Sequence, residues 1–469
     1  MDTIRFKKMD GTFIEVEQSL IKKSISAELF FDGTDNYEQA RSLWNGMIDK
    51  SPSMLVRVTS TQDVQDTVNF AHTHGILLAI KSGGHNIAGK ALVDEGIVID
   101  FQLMTDVLVN EQQKTVKVSS GATLADVDTA TQQYGLVVPT GINSTTGIAG
   151  LTLGGGFGWT TRKFGLTIDN LRSAKIVTAS GELLSVNSTE NPDLFWAIRG
   201  GGGNFGVVTE FEFNLHNAGP EVLAGMVIHP FSEIKNVLKQ YQSAIDKAPD
   251  ELTCWVVMRK APPLPFLAEE WHGKEVLVLA MCYTGDIAAG QLATKEIRDI
   301  GQPIVEAVGP MPFVNWQAAF DPLLTAGARN YWKSHDLSKI NPAAVSEIEQ
   351  AIHTLPSEEC EIFIAHLGGV MTKVAKHETP WLNRESHFTM NVHTRWQHPE
   401  DDELCRNWAR QLHANLTKHA MGSIYVNFIP EGDDSSIGEA YGANFARLKQ
   451  IKQQYDPANL FRINQNIVP

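Results

Sequence analysis

The sequence predicts an α+β protein of two domains, and three observations predict it. Strand-like and helix-like segments alternate through the first half of the chain. Glycine is concentrated between Gly141 and Gly206. Past Asn217-Ala218-Gly219-Pro220 the glycine content falls and the segments lengthen, which reads as a second unit with a large antiparallel sheet covered by helices. A chain of 469 residues also exceeds what one core ordinarily serves. The boundaries fall near Gly219 and near Gly422.

Taken in order, Met54 to Val58 reads as a strand, and Ser60 with Asp63 forms a capping-box pair that opens a helix. Val64, Val68 and Ala71 share one face of that helix, and Gly75 stops it. Ile76 to Ile80, Ile97 to Phe101, Val107 to Val109 and Val116 to Val118 read as strands. Thr123 and Asp126 open a second helix that ends at Gly135. Ser180-Gly181 is a hairpin turn between Arg172–Ala179 and Leu183–Val186. In the second unit, strands at 222–228, 252–258 and 276–283 interleave with helices at 234–245 and 288–300, and later strands cover 361–367 and 388–396.

Composition excludes several classes. The formal net charge of −15 repels nucleic acid and anionic membranes. No apolar run approaches ~20 residues and no leader is visible, so a cytoplasmic location is expected. Cys254, Cys282, Cys360 and Cys405 are scattered, which fits small buried hydrophobes rather than a zinc site or a disulfide framework.

Three loops share one chemistry: small residues that let backbone N–H groups approach a ligand. They are Lys81 to Gly89, Thr140 to Gly158, and Arg199 to Gly206. The last holds a literal G-x-G-x-x-G, but a strand follows Gly206 where a dinucleotide fingerprint requires a helix. No Gly-Lys-Ser/Thr closes a loop, so a Walker-A site fails too. One such loop is as easily a tight turn. Three in one domain point to a large ligand carrying a diphosphate.

Ser82-Gly83-Gly84-His85-Asn86 with Gly89, Gly150 to Gly158, Arg162 to Leu166 with Asp169-Asn170, and Asp193 to Gly200 together resemble the berberine bridge enzyme-like flavoproteins. So do Tyr441 to Phe445 and Asp456 to Arg462 with Asn464. These proteins belong to the vanillyl-alcohol oxidase / p-cresol methylhydroxylase superfamily. The resemblance implies a two-part FAD-binding domain of the PCMH type at 1–218, a substrate domain at 219–421, and a C-terminal segment, 422–469, that returns to the FAD domain. It implies FAD joined covalently to His85. The cofactor contacts it implies in the first loop are Ser82, Gly83, Gly84, Asn86 and Gly89, with Gly121 between the loops. In the second loop they are Thr140, Gly141, Thr145, Thr146, Gly147, Gly150, Gly154, Gly155 and Gly158, and beyond it Gly206, Val208 and Asn464. Asn143 stands where many members carry a second, cysteinyl link, so the chain departs from that pattern and reads as mono-covalent. Thr146 stands where members control oxygen access, and threonine there leaves oxidase against dehydrogenase open.

The chemistry the resemblance implies is hydride transfer to flavin N5 from an alcohol or amine carbon of a sugar, alkaloid or other secondary metabolite, with O2 returning as H2O2. A dehydrogenase with another acceptor, or a flavin-binding protein without turnover, are the alternatives. Tyr425, in Ile424 to Phe428, resembles the family's Tyr-x-Asn-Tyr motif and is the first candidate base. A phenol near pKa ~10 would need lowering by about two to three units, roughly 3–4 kcal/mol. Alternation puts Thr389, Asn391, His393 and Arg395 on one strand face. Asn391 occupies a position where members often place glutamine or a carboxylate, which leaves Tyr425 or His393 as base. The alternative for Tyr425 is a core tyrosine satisfied by one hydrogen bond, and a solvated histidine is an equal reading of His393. His387 and His393 share a face without an evident third ligand, so no metal is expected.

Overall fold

The computed structural model describes residues 3–433 and 436–469. It is an α+β fold. A seven-stranded sheet runs in the order Val305–Pro312, Glu221–Pro230, Glu275–Tyr283, Leu252–Lys260, Glu361–His366, Phe388–Trp396, Arg329–Leu337. Every neighbouring pair in it is antiparallel. Two of its strands, Val305–Pro312 and Arg329–Leu337, carry too little apolar alternation to be read from sequence. Both are edge strands, recruited by the ladder rather than by their own pattern.

Period-two alternation divides that sheet's side chains between two cores. Leu223, Val227, Met258, Leu277, Leu279, Ile362 and Val392 pack with the helices Ile234–Ile245, Pro342–Ile352 and Asp402–Leu416. Their neighbours Ile228, Trp255, Val276, Val278 and Ala280 face the other way, toward Phe157 and Trp159 of the first domain.

The residues before 219 build two larger sheets, beside two-stranded ribbons that pair Thr3–Lys7 with Phe13–Glu17 and Leu136–Val137 with His216–Asn217. Four strands, Glu28–Phe30, Met54–Arg57, Ile97–Asp100 and Leu78–Lys81, form one, with the last three parallel. Five antiparallel strands, including Thr115–Ser119 and Val207–Asn214, form the other. The expected caps are present: Ser60 with Asp63 before Thr61–His74, and Thr123 with Asp126 before Leu124–Gln132. The chain past 421 packs onto the five-stranded sheet's core through Ile437, Tyr441, Leu448 and Ile467. Tyr425 itself begins a single 3-10 turn, Val426–Phe428, rather than a strand, and its N–H donates to Ser334 Oγ (3.3 Å) instead of a ladder partner.

Candidate active site

A cavity separates the large sheet from the glycine loops. Its floor is backbone. A Cβ on Gly83 would meet the amide N of Gly147 at 2.4 Å, and one on Gly147 would meet the amide N of Gly83 at the same distance. The first and second loops therefore touch main chain to main chain, which only glycine permits at those positions. Gly150 and Gly203 differ: a Cβ there would meet nothing within 4 Å, so it would fill the cavity itself. Ser82 Oγ donates to Ser120 O (2.6 Å), and Ser120 Oγ to Val208 O (2.5 Å), tying the first loop to the Val207–Asn214 strand.

The cavity collects Ser82, Gly83, Gly84, His85 and Asn86 from the first loop. It collects Gly141, Thr146, Gly147, Gly150 and Gly154 from the second, and Gly206, Val208 and Asn464 from elsewhere. The other sequence candidates stand behind the wall. Gly121 lies under Phe101 O, where a Cβ would come to 1.9 Å, and Gly158 lies equally close under Thr140 O, at 2.0 Å. Gly89 packs on Ile48 and Gly155 on Trp381. Thr140 Oγ1 accepts from Gln317 Nε2 (3.0 Å) and Thr145 reaches the site through His85.

His85 is half-buried in the cavity wall. Its ring stacks on Trp44 at 5.1 Å, Nε2 contacts Thr145 Oγ1 at 3.0 Å, and Nδ1 lies 3.5 Å from Thr146 Oγ1. Burial lowers its pKa to about 4, against a contact with the Thr145 backbone, which raises it. The imidazole is therefore neutral near pH 7 and keeps a ring lone pair for bonding. Asn143 Oδ1 accepts from the N–H and Oγ1 of Thr145, and Ser144 donates twice to Asp321 (3.0 and 2.5 Å), which clamps this loop to the second domain.

Tyr425 lies in the wall among Phe157, Trp381 and Phe428. Its hydroxyl accepts from Gly156 N–H (3.2 Å) and Asn427 Nδ2 (2.8 Å). Burial nevertheless pushes the phenol up to about 12, opposite to the lowering a base near neutrality requires.

The roof is built by register. Arg259 stands opposite Glu361, Glu361 opposite His393, and His393 opposite Trp332, so one row of cross-strand neighbours carries three polar side chains. Arg259 Nη1 donates to Glu361 Oε2 (2.7 Å), and His393 Nδ1 lies 3.1 Å from Glu361 Oε1. Burial raises the Glu361 carboxyl, but Arg259 and the His393 ring outweigh it and hold it at about 2. An ionised carboxylate only accepts, so Nδ1 carries a proton and donates it to Glu361. His393 Nε2 is buried and has no partner among the described residues. Asn391 shares the face but does not line the cavity, and its amide atoms find no partner either. Neither Arg259 nor Glu361 emerged from sequence reasoning. Glu361 could have been noticed as the acid that opens an apolar strand, but only register reveals its partners.

These residues suit FAD. The floor has the glycine cradle a flat ring and diphosphate require, with Gly150 and Gly203 open to it, and the side-chain oxygens of Asn464 and Gln465 at its edge are buried without partners among the described residues.

The sequence matches the FAD binding domain family over residues 52–187 and the family described as berberine and berberine like over 424–468. An FAD-linked oxidoreductase of Dictyostelium discoideum is 30% identical over 95% of this chain and 96% of its own length. The crystal structure of 6-hydroxy-D-nicotine oxidase from Arthrobacter nicotinovorans superposes with a TM-score of 0.85 at 26% identity, covering 95% of this chain and 98% of that one. Physcomitrella patens BBE-like 1 shares the fold at a TM-score of 0.87 and 24% identity, over 97% of this chain and 99% of its own.

Proposed function

The chain belongs to the berberine bridge enzyme-like family of FAD-linked oxidoreductases, and from that premise we propose that it is an oxidase holding FAD by one covalent bond at His85. The observation that carries this reading is the neutral, threonine-braced imidazole at the cavity wall, with asparagine and not cysteine at position 143 of the facing loop. When bound, FAD supplies the acceptor for hydride from an alcohol or amine carbon and, in an oxidase, returns the electrons to O2 as H2O2.

The chain's own residues do the rest. The clamp of Ser144 on Asp321 and of Gln317 on Asp128 and Gly141 holds roof against floor, which fixes the distance across the cavity and excludes water. His393, which lines the cavity and gives its Nδ1–H to Glu361, is the residue we assign to take the substrate proton. Tyr425 shapes the wall instead, because its own proton is held too tightly.

The test is flavin bleaching under nitrogen with a panel of alcohols and amines, then H2O2 measured in air with any compound that bleaches. Bleaching followed by stoichiometric H2O2 is expected. Bleaching with no H2O2 would reassign the chain to the dehydrogenases.

A further inference from the structure

We propose that Trp44 is a positioning residue for the flavin tether: its indole sets the plane of the His85 ring, so that the imidazole is held ready for attachment. This rests on reading His85 as the point of attachment, and it gives a role to a residue outside the three glycine loops.

A histidine ring turns about its last side-chain torsion in a broad well, so its neighbours must set its plane. Thr145 and Thr146 touch the ring at its nitrogens, at 3.0 and 3.5 Å. A nitrogen that bonds to carbon gives up such a contact. The ring face keeps its own, and Trp44 supplies it: the centroids are 5.1 Å apart and the planes 22° from parallel.

The indole is itself fixed. Its Nε1–H donates to Leu324 O (2.8 Å), Trp332 meets it edge-on at 5.7 Å, and the Arg395 guanidinium lies 5.6 Å from its ring centre. The main chain around it holds both sides of the cavity. Trp44 N–H donates to Gly84 O (3.2 Å), the carbonyl joined to His85, and Trp44 O accepts from Gly327 N–H (3.0 Å). Asn45 Nδ2 donates to Ile87 O (2.9 Å) and Asn330 O (3.0 Å), while its Oδ1 accepts from Asn330 N–H (2.9 Å). Gly46 N–H donates to Ala328 O (2.9 Å), and a Cβ on Gly46 would meet Gly327 O at 2.1 Å. Residues 44–46 belong to no helix or strand, yet they splice residues 84–87 to residues 324–330. Main-chain and Asn45 bonds already place this segment, so the indole face is left for the imidazole.

Attachment forms one bond between an imidazole nitrogen and the flavin methyl carbon. The imidazole N–H and one methyl C–H are lost, and the two protons and two electrons released reduce O2 to H2O2. A ring whose plane is set beforehand reaches that geometry more often.

The experiment supplies FAD in air to protein purified from riboflavin-limited cells. The fraction of denatured chains carrying the added flavin mass is followed in time, beside total bound flavin per chain, and no substrate is needed. Trp44→Met and Trp44→Leu, two apolar replacements without a ring, should bind flavin but link it about tenfold more slowly than the parent. Trp44→Phe, which keeps a ring face for the imidazole, should link within about threefold of the parent rate. Linkage at the parent rate in either ringless variant, or a Trp44→Phe chain as slow as those two, would overturn the proposal. So would a ringless pair that binds no flavin at all, since Trp44 would then serve the fold and not the tether. A parent chain that binds flavin yet gains no flavin mass would instead refute attachment at His85, and this inference would fall with it.

Discussion

A Cβ added to Gly83 in the floor would strike a backbone amide at 2.4 Å, whereas the roof above it is made of side chains such as Val278 and Phe363 that define the slot by their own shape. The floor binds through main-chain groups that every residue possesses, so its specificity lies in which positions lack a side chain. The roof binds through side chains that strand register sets next to each other across gaps of some hundred residues in sequence, as Arg259 and Glu361 show. A cofactor shared by many proteins can be held by the first device. A substrate peculiar to one protein requires the second.

The largest effect should come from the floor. His85→Ala should release all flavin colour from an acid-precipitated pellet that keeps it in the parent protein, while the half-buried position leaves the fold intact. In the roof, Glu361→Leu strands the Arg259 charge in a buried site and should cost about 3–5 kcal/mol in denaturant unfolding, with flavin still attached. A loss of flavin from that variant would show that floor and roof are not separable. Next, Gly83→Ala and Gly150→Ala divide the floor itself. The first collides with Gly147 and should cost about 1–3 kcal/mol, and the second meets nothing in the protein and should change flavin loading but not stability.

The smallest effect is one of pH. Burial holds His229 at about 4 and His413 at about 3, one on a roof strand and one on a helix that covers the roof. Their folded values lie below the unfolded one, so the native state binds fewer protons. Their contribution is fully present above about pH 6.5 and lost as pH falls toward 4 and 3, by up to about 1.4 kcal/mol per pH unit for each. Asp128, in the floor, is raised to about 7 by burial and runs the other way. Comparison with His229→Gln isolates the histidine part: the variant should lose stability less steeply between pH 6.5 and 4. Equal slopes would mean that His229 is not held neutral.

The difference between floor and roof also explains what was legible in the sequence. Gly83, His85 and Gly147 announce themselves because a local loop conformation demands particular residues in a short run. The caps at Ser60 and Thr123 are legible for the same reason. Tyr425 and His393 were found by motif and alternation, and both reach the cavity. The titration of Tyr425 was not legible, because it depends on packing: burial raises it to about 12, among Phe157 and Trp381 from two distant segments and Phe428 from its own turn. Arg259 and Glu361 were invisible as a pair, since nothing near either residue encodes the register that joins them. The strand Arg329–Leu337, which supplies Trp332, was missed because its residues are largely polar and its pairing with Phe388–Trp396 is what makes it a strand.

The most direct measurement is the mass of the intact protein after denaturation, followed by mapping of the modified peptide. A chain heavier by one FAD, with the addition on His85 and none on Asn143, is the predicted result. An unmodified mass from a protein that is yellow when native would contradict the single imidazole tether.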